Sequence, residues 1–472
     1  MQPVAARFRY LFTSTRGLVL LAIGLVALVT AIWSTLSGPM VEWGVKDLVV
    51  RTLGMRLVEA EREGRIISLY HSIAFAVVAV LVYLITGSVP MKKQQQANIN
   101  ATITVGYLVA MFSGLTFGYF GHNWIFHGLF LFGQGLIFYA GVLLAVALWP
   151  WDREYYRTDF VYARTPGGLD LERTAFFVMA VSTLGSAALG AVAGAFFGNG
   201  FQSFLAEDLI RQPVKTLLQK AVIGHLHIML TLIAIATALM IGRWFDFKGI
   251  YHKLAMPLMV FGTIIITLGA WSVVVTPHAH TIIYVGSVMV MLSALFLVIY
   301  GWGKLIRDRL AEQKITRPTA GQRLRALLHD PLRFGALWQM VYMNFVVSGV
   351  GIFMAVKLNE IFRVWPHREE RIALTGHWHA LSALTATIIL CYFADMMGLA
   401  GKARQWFGWV LIIASDIAFA GATLFAMKRL FVSEYGQQQM VNWTMLAIDF
   451  GLAAVLVALA VFLLWRLADL FR

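Results

Sequence analysis

The chain has 472 residues, 59% of them hydrophobic and 13% charged, with a mean hydropathy of +0.73. That balance excludes a soluble globular domain and identifies an integral membrane protein. The formal net charge of +14 does not point to nucleic acid, because Lys and Arg lie mostly in short connectors between apolar runs, where membrane topology accounts for them.

Twelve apolar runs are long enough to cross a hydrocarbon core of ~30 Å. They predict spans at residues 17–36, 67–89, 101–120, 124–149, 173–197, 217–242, 254–276, 280–302, 335–358, 373–396, 406–428 and 442–465. The run after Arg16 is about 20 residues long and lacks a small-residue cleavage site, so it reads as the first span and not as a signal peptide. With Arg7, Arg9 and Arg16 on the cytoplasmic side, that side holds 24 of the 38 Lys and Arg residues and the opposite side 14. Eight of the 24 lie between Lys304 and Arg333. This asymmetry places both termini in the cytoplasm.

Two outer connectors, Glu42 to Arg65 and Lys357 to Arg371, are long and charged, and are expected to form short interfacial helices. Their charge is either a solvated face or a docking surface. The glutamine triplets 94–96 and 437–439 read as loops. Cys391, the single cysteine, sits within an apolar run, so there is no intramolecular disulfide and no Cys-x-x-Cys-His attachment point. Any haem in this chain is held by coordination alone.

The histidines introduce a period. Span 2 carries Tyr70-His71-Ser72, span 6 carries Gly224-His225-Leu226-His227, and span 10 carries Gly376-His377-Trp378-His379. From His71 to His225 is 154 residues and from His225 to His377 is 152. Four spans separate each pair, which predicts an all-α membrane fold of three four-helix units, at about 17–149, 173–302 and 335–465. Within a His-x-His pair the rings lie about 200° apart on a helix, so each serves a different neighbour. Thr276-Pro277-His278-Ala279-His280 closes span 7 at the outer surface. Seven imidazoles thus share the outer third of the membrane, where polar rings are costly unless paired or coordinated. Imidazole is a common ligand of metals and of haem iron. A hydrogen-bonded layer without cofactor and a pure zinc site are the competing readings.

Three repeats of four spans, His71 on span 2, His225 and His227 on span 6, the pair His278 and His280 after span 7 and His377-Trp378-His379 on span 10 together resemble the catalytic subunit of the haem-copper oxidase superfamily. The resemblance covers nearly the whole chain. Its size, its lack of fused extensions and Trp406-Phe407-Gly408-Trp409 at the start of span 11 are most similar to the large subunit of nitric oxide reductases.

The resemblance implies two non-covalent haems, of b type. His71 and His379 would hold a low-spin haem, and His377 would be the proximal ligand of a second. His225 or His227, with His278 and His280, would bind a non-haem copper or iron at the catalytic centre. Lys428 and Arg429 resemble the basic pair that binds haem propionates, and an ordinary interfacial anchor is the other reading for them.

The chain also departs from that pattern. Four residues after the span 6 histidines stand Met229 and Thr231 where oxygen-reducing branches place a tyrosine, and no tyrosine occurs between Lys253 and Pro277. The membrane parts of spans 6, 7 and 8 contain no Asp or Glu, unlike nitric oxide reductases. The pair at 278 and 280 is His-x-His where the family has adjacent histidines. His227 could compensate, or could coordinate the second haem directly.

Asp395, Asp416 and Asp449, in spans 10 to 12, are candidates either for proton transfer or for structural hydrogen bonds. His122, His127 and His367 lie in or beside loops and read as surface or structural residues.

The expectation is a prokaryotic inner-membrane di-haem oxidoreductase with its haem centres toward the outer side. A c-type cytochrome subunit or quinol would donate electrons, and nitric oxide or oxygen would receive them. The rival is a degenerate relative without the non-haem metal, acting as a di-haem electron-transfer or quinol-reactive subunit of a larger complex. A reading from another class is a transporter with a His-lined metal path.

Overall fold

A computed structural model describes residues 4–37, 43–58, 61–196, 216–276 and 278–471. Among these residues the chain is helical and contains no strand. Lipid leaves backbone groups no other partner, so an apolar run must satisfy its own N–H and C=O groups as a helix. Eleven helices are long and apolar enough to span a membrane, and a bent pair at the start makes up to twelve.

That bent pair is α1 (Val4–Thr13) and α2 (Thr15–Ser37), which meet at 74°. Ser14 Oγ accepts the Gly17 N–H at 2.9 Å, and a side chain at Gly17 would overlap the Tyr10 carbonyl. The short helix α3 (Val45–Leu53) has no buried residue and is flanked by left-handed Gly44 and Gly54, as expected of an interfacial element. Glu42 lies outside the described residues. The spans continue as α4 (Arg62–Ser88), α5 (Lys93–Phe120), α6 (Trp124–Ala147), α7 (Leu171–Phe196), α8 (Leu217–Trp244), α9 (Ile250–Ser272) and α10 (Ala279–Glu312). After the short helix α11 (Ala320–Leu327), the ninth span runs through α12 (Pro331–Val341), a wide π-turn (Tyr342–Val347) and α13 (Ser348–Val356). The last three spans are α14 (His367–Met396), α15 (Gly401–Phe431) and α16 (Glu434–Phe471).

Three expectations are corrected. The glutamine triplets are helical, opening α5 and α16; Gln95 Oε1 accepts the Lys92 backbone N–H at 3.3 Å, and glutamine is a good helix former at a polar helix start. The connector from Lys357 to Arg371 holds one π-turn (Leu358–Phe362) and then the first turn of α14, not a separate α-helix. Finally, α9 stops at Ser272, so His278 and His280 belong to the start of α10. Proline cannot donate the bond that would continue α9; Pro277 itself lies outside the described residues.

Three antiparallel hairpins pack closely enough to require glycine. A Cβ at Gly133 of α6 would overlap the Ala110 backbone of α5, and one at Gly286 of α10 would overlap the Ile266 backbone of α9. One at Gly451 of α16 would overlap the Ala414 backbone of α15. In lipid, where helices gain little from burying apolar surface, such backbone approach is a main source of cohesion. The most apolar stretch of α14 is 61% buried and that of α16 only 17%, so α14 is central and α16 peripheral.

Two ionic clusters tie the helices at one end of the bundle. Asp170 caps α7, accepting from Glu172 N at 2.9 Å, and is bound by Arg157 at 2.7 Å; Glu172 meets Arg157 at 3.1 Å. Asp330 precedes α12 and takes Arg404 Nη2 at 2.7 Å, while Arg404 Nη1 reaches Asp395 at 2.5 Å. Trp244 Nε1 donates to Asp395 at 2.6 Å, joining α8 to α14. Arg404 and both its acids are at most 20% exposed, whereas Arg333 is 35% exposed and reaches the same acids at 3.7–3.8 Å. Removing one partner of a buried pair leaves an uncompensated charge. Arg404→Ala is therefore expected to destabilise the protein by about 3–5 kcal/mol. Arg333→Ala should cost less than about 1 kcal/mol. Thermal melting of the two purified variants checks the order; equal melting temperatures would refute it.

Candidate histidine centre

The helices that carry the repeated histidine motifs meet one another through those motifs. From α4 to α8, the rings of His71 and His225 lie 6.4 Å apart at an interplanar angle of 20°. From α8 to α14, His227 sits edge-on to Trp378 at 6.0 Å. From α14 back to α4, His379 Nε2 and the Tyr70 hydroxyl are 2.5 Å apart. The three contacts close a triangle of α4, α8 and α14.

Each of the first three imidazoles is oriented by a backbone carbonyl. His71 Nδ1 lies 2.8 Å from Ile67 O, and His227 Nδ1 2.8 Å from Ile223 O, both one turn earlier on the same helix. His225 reaches across to α7, with Nδ1 2.9 Å from Ser186 O. In each case the Nδ1 proton has an acceptor and Nε2 remains for a ligand, which is how ligating histidines are commonly held.

Two glycines make room for rings. A Cβ at Gly190 of α7 would lie 2.6 Å from the His225 ring. A Cβ at Gly351 of α13 would lie 2.5 Å from His377 Cε1 and 2.7 Å from its Nε2. The seat on α7 also includes Gly185, over which Trp271 lies, and Ser186, whose Oγ accepts from Trp271 Nε1 at 3.0 Å. His377 lies against the Val347 carbonyl at the end of the π-turn, and its buried Nδ1 has no hydrogen-bond partner among the described residues. A small apolar cavity adjoins it, lined by Val347, Val350, Ala380, Ala422 and Met427.

The expected ligand sets are brought together only in part. His227 is within electrostatic reach of His377 and of His280. His71 faces His225, and the Nε2 of His379 is engaged by Tyr70. His278 caps α10, with its N–H donating to Thr276 Oγ1 at 3.2 Å, and His280 follows in the first turn, 6.4 Å from the Tyr284 ring. The cap position takes His278 out of helical spacing, so the 200° rule does not apply to this pair. Among the described residues, no three His, Cys, Asp or Glu side chains form a group that could hold a metal ion.

Lys428 is 3% exposed, ion-paired with Glu369 at the start of α14 and 4.8 Å from the Phe425 ring. Arg429 has a buried Nε without a partner among the described residues. Asp395 belongs to the Arg404 cluster. Asp416 accepts from Trp338 Nε1 at 2.8 Å and Gln339 Nε2 at 3.0 Å, linking α15 to α12. Asp449 is exposed on α16. His122 and His127 bond each other at 3.0 Å. The side chain of His367 lies outside the described residues.

Sequence reasoning passes over Tyr70, Ser186, Gly190 and Gly351. Tyr70 is adjacent to His71 and was open to notice; the glycine seats depend on which helix faces which.

No protein-family model matches the chain, and no curated protein matches it.

Proposed function

We propose that the chain is a membrane-bound oxidoreductase whose histidine layer holds two non-covalent haems of b type, in a fold of three four-helix units. His71 and His379 are ligands of a low-spin haem, and His377 is the ligand of a second. His225, His227, His278 and His280 are the candidate ligands of a non-haem copper or iron. The observation that carries the reading is the closed triangle of motif contacts among α4, α8 and α14. The three glycine-dependent hairpins, one in each expected unit, support the repeat.

The donor chemistry fits the group. Three imidazoles have Nδ1 on a carbonyl with Nε2 to spare, and a fourth has an orphaned Nδ1. A bound haem supplies a one-electron couple, tuned by its axial ligands and their hydrogen bonds. The chain's own residues orient those ligands: Ser186 O sets the His225 ring, Gly190 and Gly351 leave space for imidazoles, and the Tyr70 hydroxyl must release His379 Nε2 before that nitrogen can coordinate.

His71 and His379 would hold the group that takes electrons from a c-type cytochrome or quinol, and His377 would hold the group that supplies one-electron chemistry for reducing nitric oxide or oxygen. The membrane is a prokaryotic inner membrane, with both termini cytoplasmic and the haems toward the outer side. Met229 and Thr231, standing where oxygen-reducing relatives have tyrosine, favour a second reading, in which the chain only passes electrons within a larger complex.

Pyridine haemochrome analysis of the purified chain is expected to give about two non-covalent haems; none would sink both readings. A carbon monoxide difference spectrum of the reduced protein separates them. Binding marks an open haem and reduction of a small oxidant, whereas its absence leaves electron transfer alone.

A further inference from the structure

Helix α16 packs chiefly on α15, with smaller contacts to α1 and α2, and leaves a stripe of its surface uncovered. The packed face runs through Thr444, Ile448 and Gly451 against Gly421, Ala414 and Ala418 of α15. On the opposite face Gln438, Asn442, Leu446 and Asp449 are all exposed, and Gln438 Nε2 donates to Asn442 Oδ1 at 3.2 Å. The polar positions recur at helical spacing and cover about 16 Å of the span at 1.5 Å per residue. Asp449 has no hydrogen bond or ion pair among the described residues.

A carboxylic acid on a lipid-facing surface near the middle of a span is costly, and membrane acids nearly always face protein or water. An outward-facing acid implies that something covers it. The structure therefore points to a docking stripe, and we propose that Gln438, Asn442 and Asp449 receive a transmembrane helix of a different subunit that presents a basic or amide side chain opposite Asp449.

Charge decides against a second copy of this chain. Two copies in one membrane orientation, related by an axis along the membrane normal, would set Asp449 against Asp449, two like charges whenever both acids are ionised. A helix carrying Lys, Arg, His, Asn or Gln at that depth completes the hydrogen bonding instead. Interhelical hydrogen bonds of this kind are a recognised glue between spans.

The test uses the full chain in the membranes of its own host, with a benzophenone amino acid at Leu446 and the adduct mapped by peptide mass spectrometry. The expected adduct is to a transmembrane segment of another polypeptide with a basic or amide residue within one turn of the attachment point. Asp449→Leu should lower the adduct yield roughly tenfold, and Asp449→Asn should retain most of it. An adduct to lipid alone, to a second copy of this chain, or to a segment without such a residue would overturn the proposal. So would an unchanged yield in Asp449→Leu. Equal melting temperatures of the two Asp449 variants show that the difference in yield is not a difference in folding.

Discussion

Alanine at His379 is expected to abolish the low-spin haem spectrum of the purified protein, and alanine at His71 to do the same, while His225→Ala leaves that spectrum in place. An axial imidazole has no substitute in an apolar span, so its loss removes the bond that keeps the iron six-coordinate. The comparison with His225 is the informative part. Two imidazole nitrogens each about 2 Å from one metal leave their ring centroids roughly 6 Å apart, close to the 6.4 Å between His71 and His225. If His225→Ala erased the low-spin spectrum and His379→Ala spared it, the ligand pair would be His71 and His225, and Tyr70 would be the lasting partner of His379. Tyr70→Phe adds a second readout. Under the proposed ligation it frees His379 Nε2 and leaves the spectrum intact.

The second large effect is expected at a glycine. A methyl group at Gly351 would stand 2.5 Å from His377 Cε1, closer than real contacts allow, so the ring must move. Loss of a ligand's orientation costs roughly 10–100-fold in affinity for the bound group. Gly351→Ala is therefore expected to lower the haem content of the purified protein by about one per chain and to spare the low-spin spectrum. Gly349→Ala is the matched control in the same helix, because a Cβ there meets nothing within 4 Å. Overpacking at Gly351 should cost about 1–3 kcal/mol of stability; equal haem content in the two variants would refute the seat.

The spans were legible because a membrane leaves one dominant signal, the length of an apolar run, and because the backbone has no alternative to the helix inside lipid. Connectors were less legible. The glutamine triplets 94–96 and 437–439 read as loops, yet a polar stretch at a helix start only marks the interface. His278 reads as the close of span 7 because Pro277 can close one helix or precede the next with equal ease, whereas α9 ends at Ser272, six residues before His278. The histidines themselves were found by their spacing. Their partners were not, since periodicity along one helix carries no information about which neighbour approaches: nothing in the sequence pairs His71 with His225, or sets His377 against Gly351.

The π-turn Tyr342–Val347 bears on how the centre can vary. In a π-turn the hydrogen bonds reach one residue further than in an α-helix, and such turns are frequent at functional sites. Here the turn ends at Val347, whose carbonyl lies against His377, so part of what borders this imidazole is main chain. No side-chain replacement at Val347 deletes that carbonyl. Alanine scanning of the ninth span would therefore pass over one of the contacts closest to the proposed second haem, while insertion or removal of a single residue between Tyr342 and Val347 would rotate Gly351 away from the ring by about 100°.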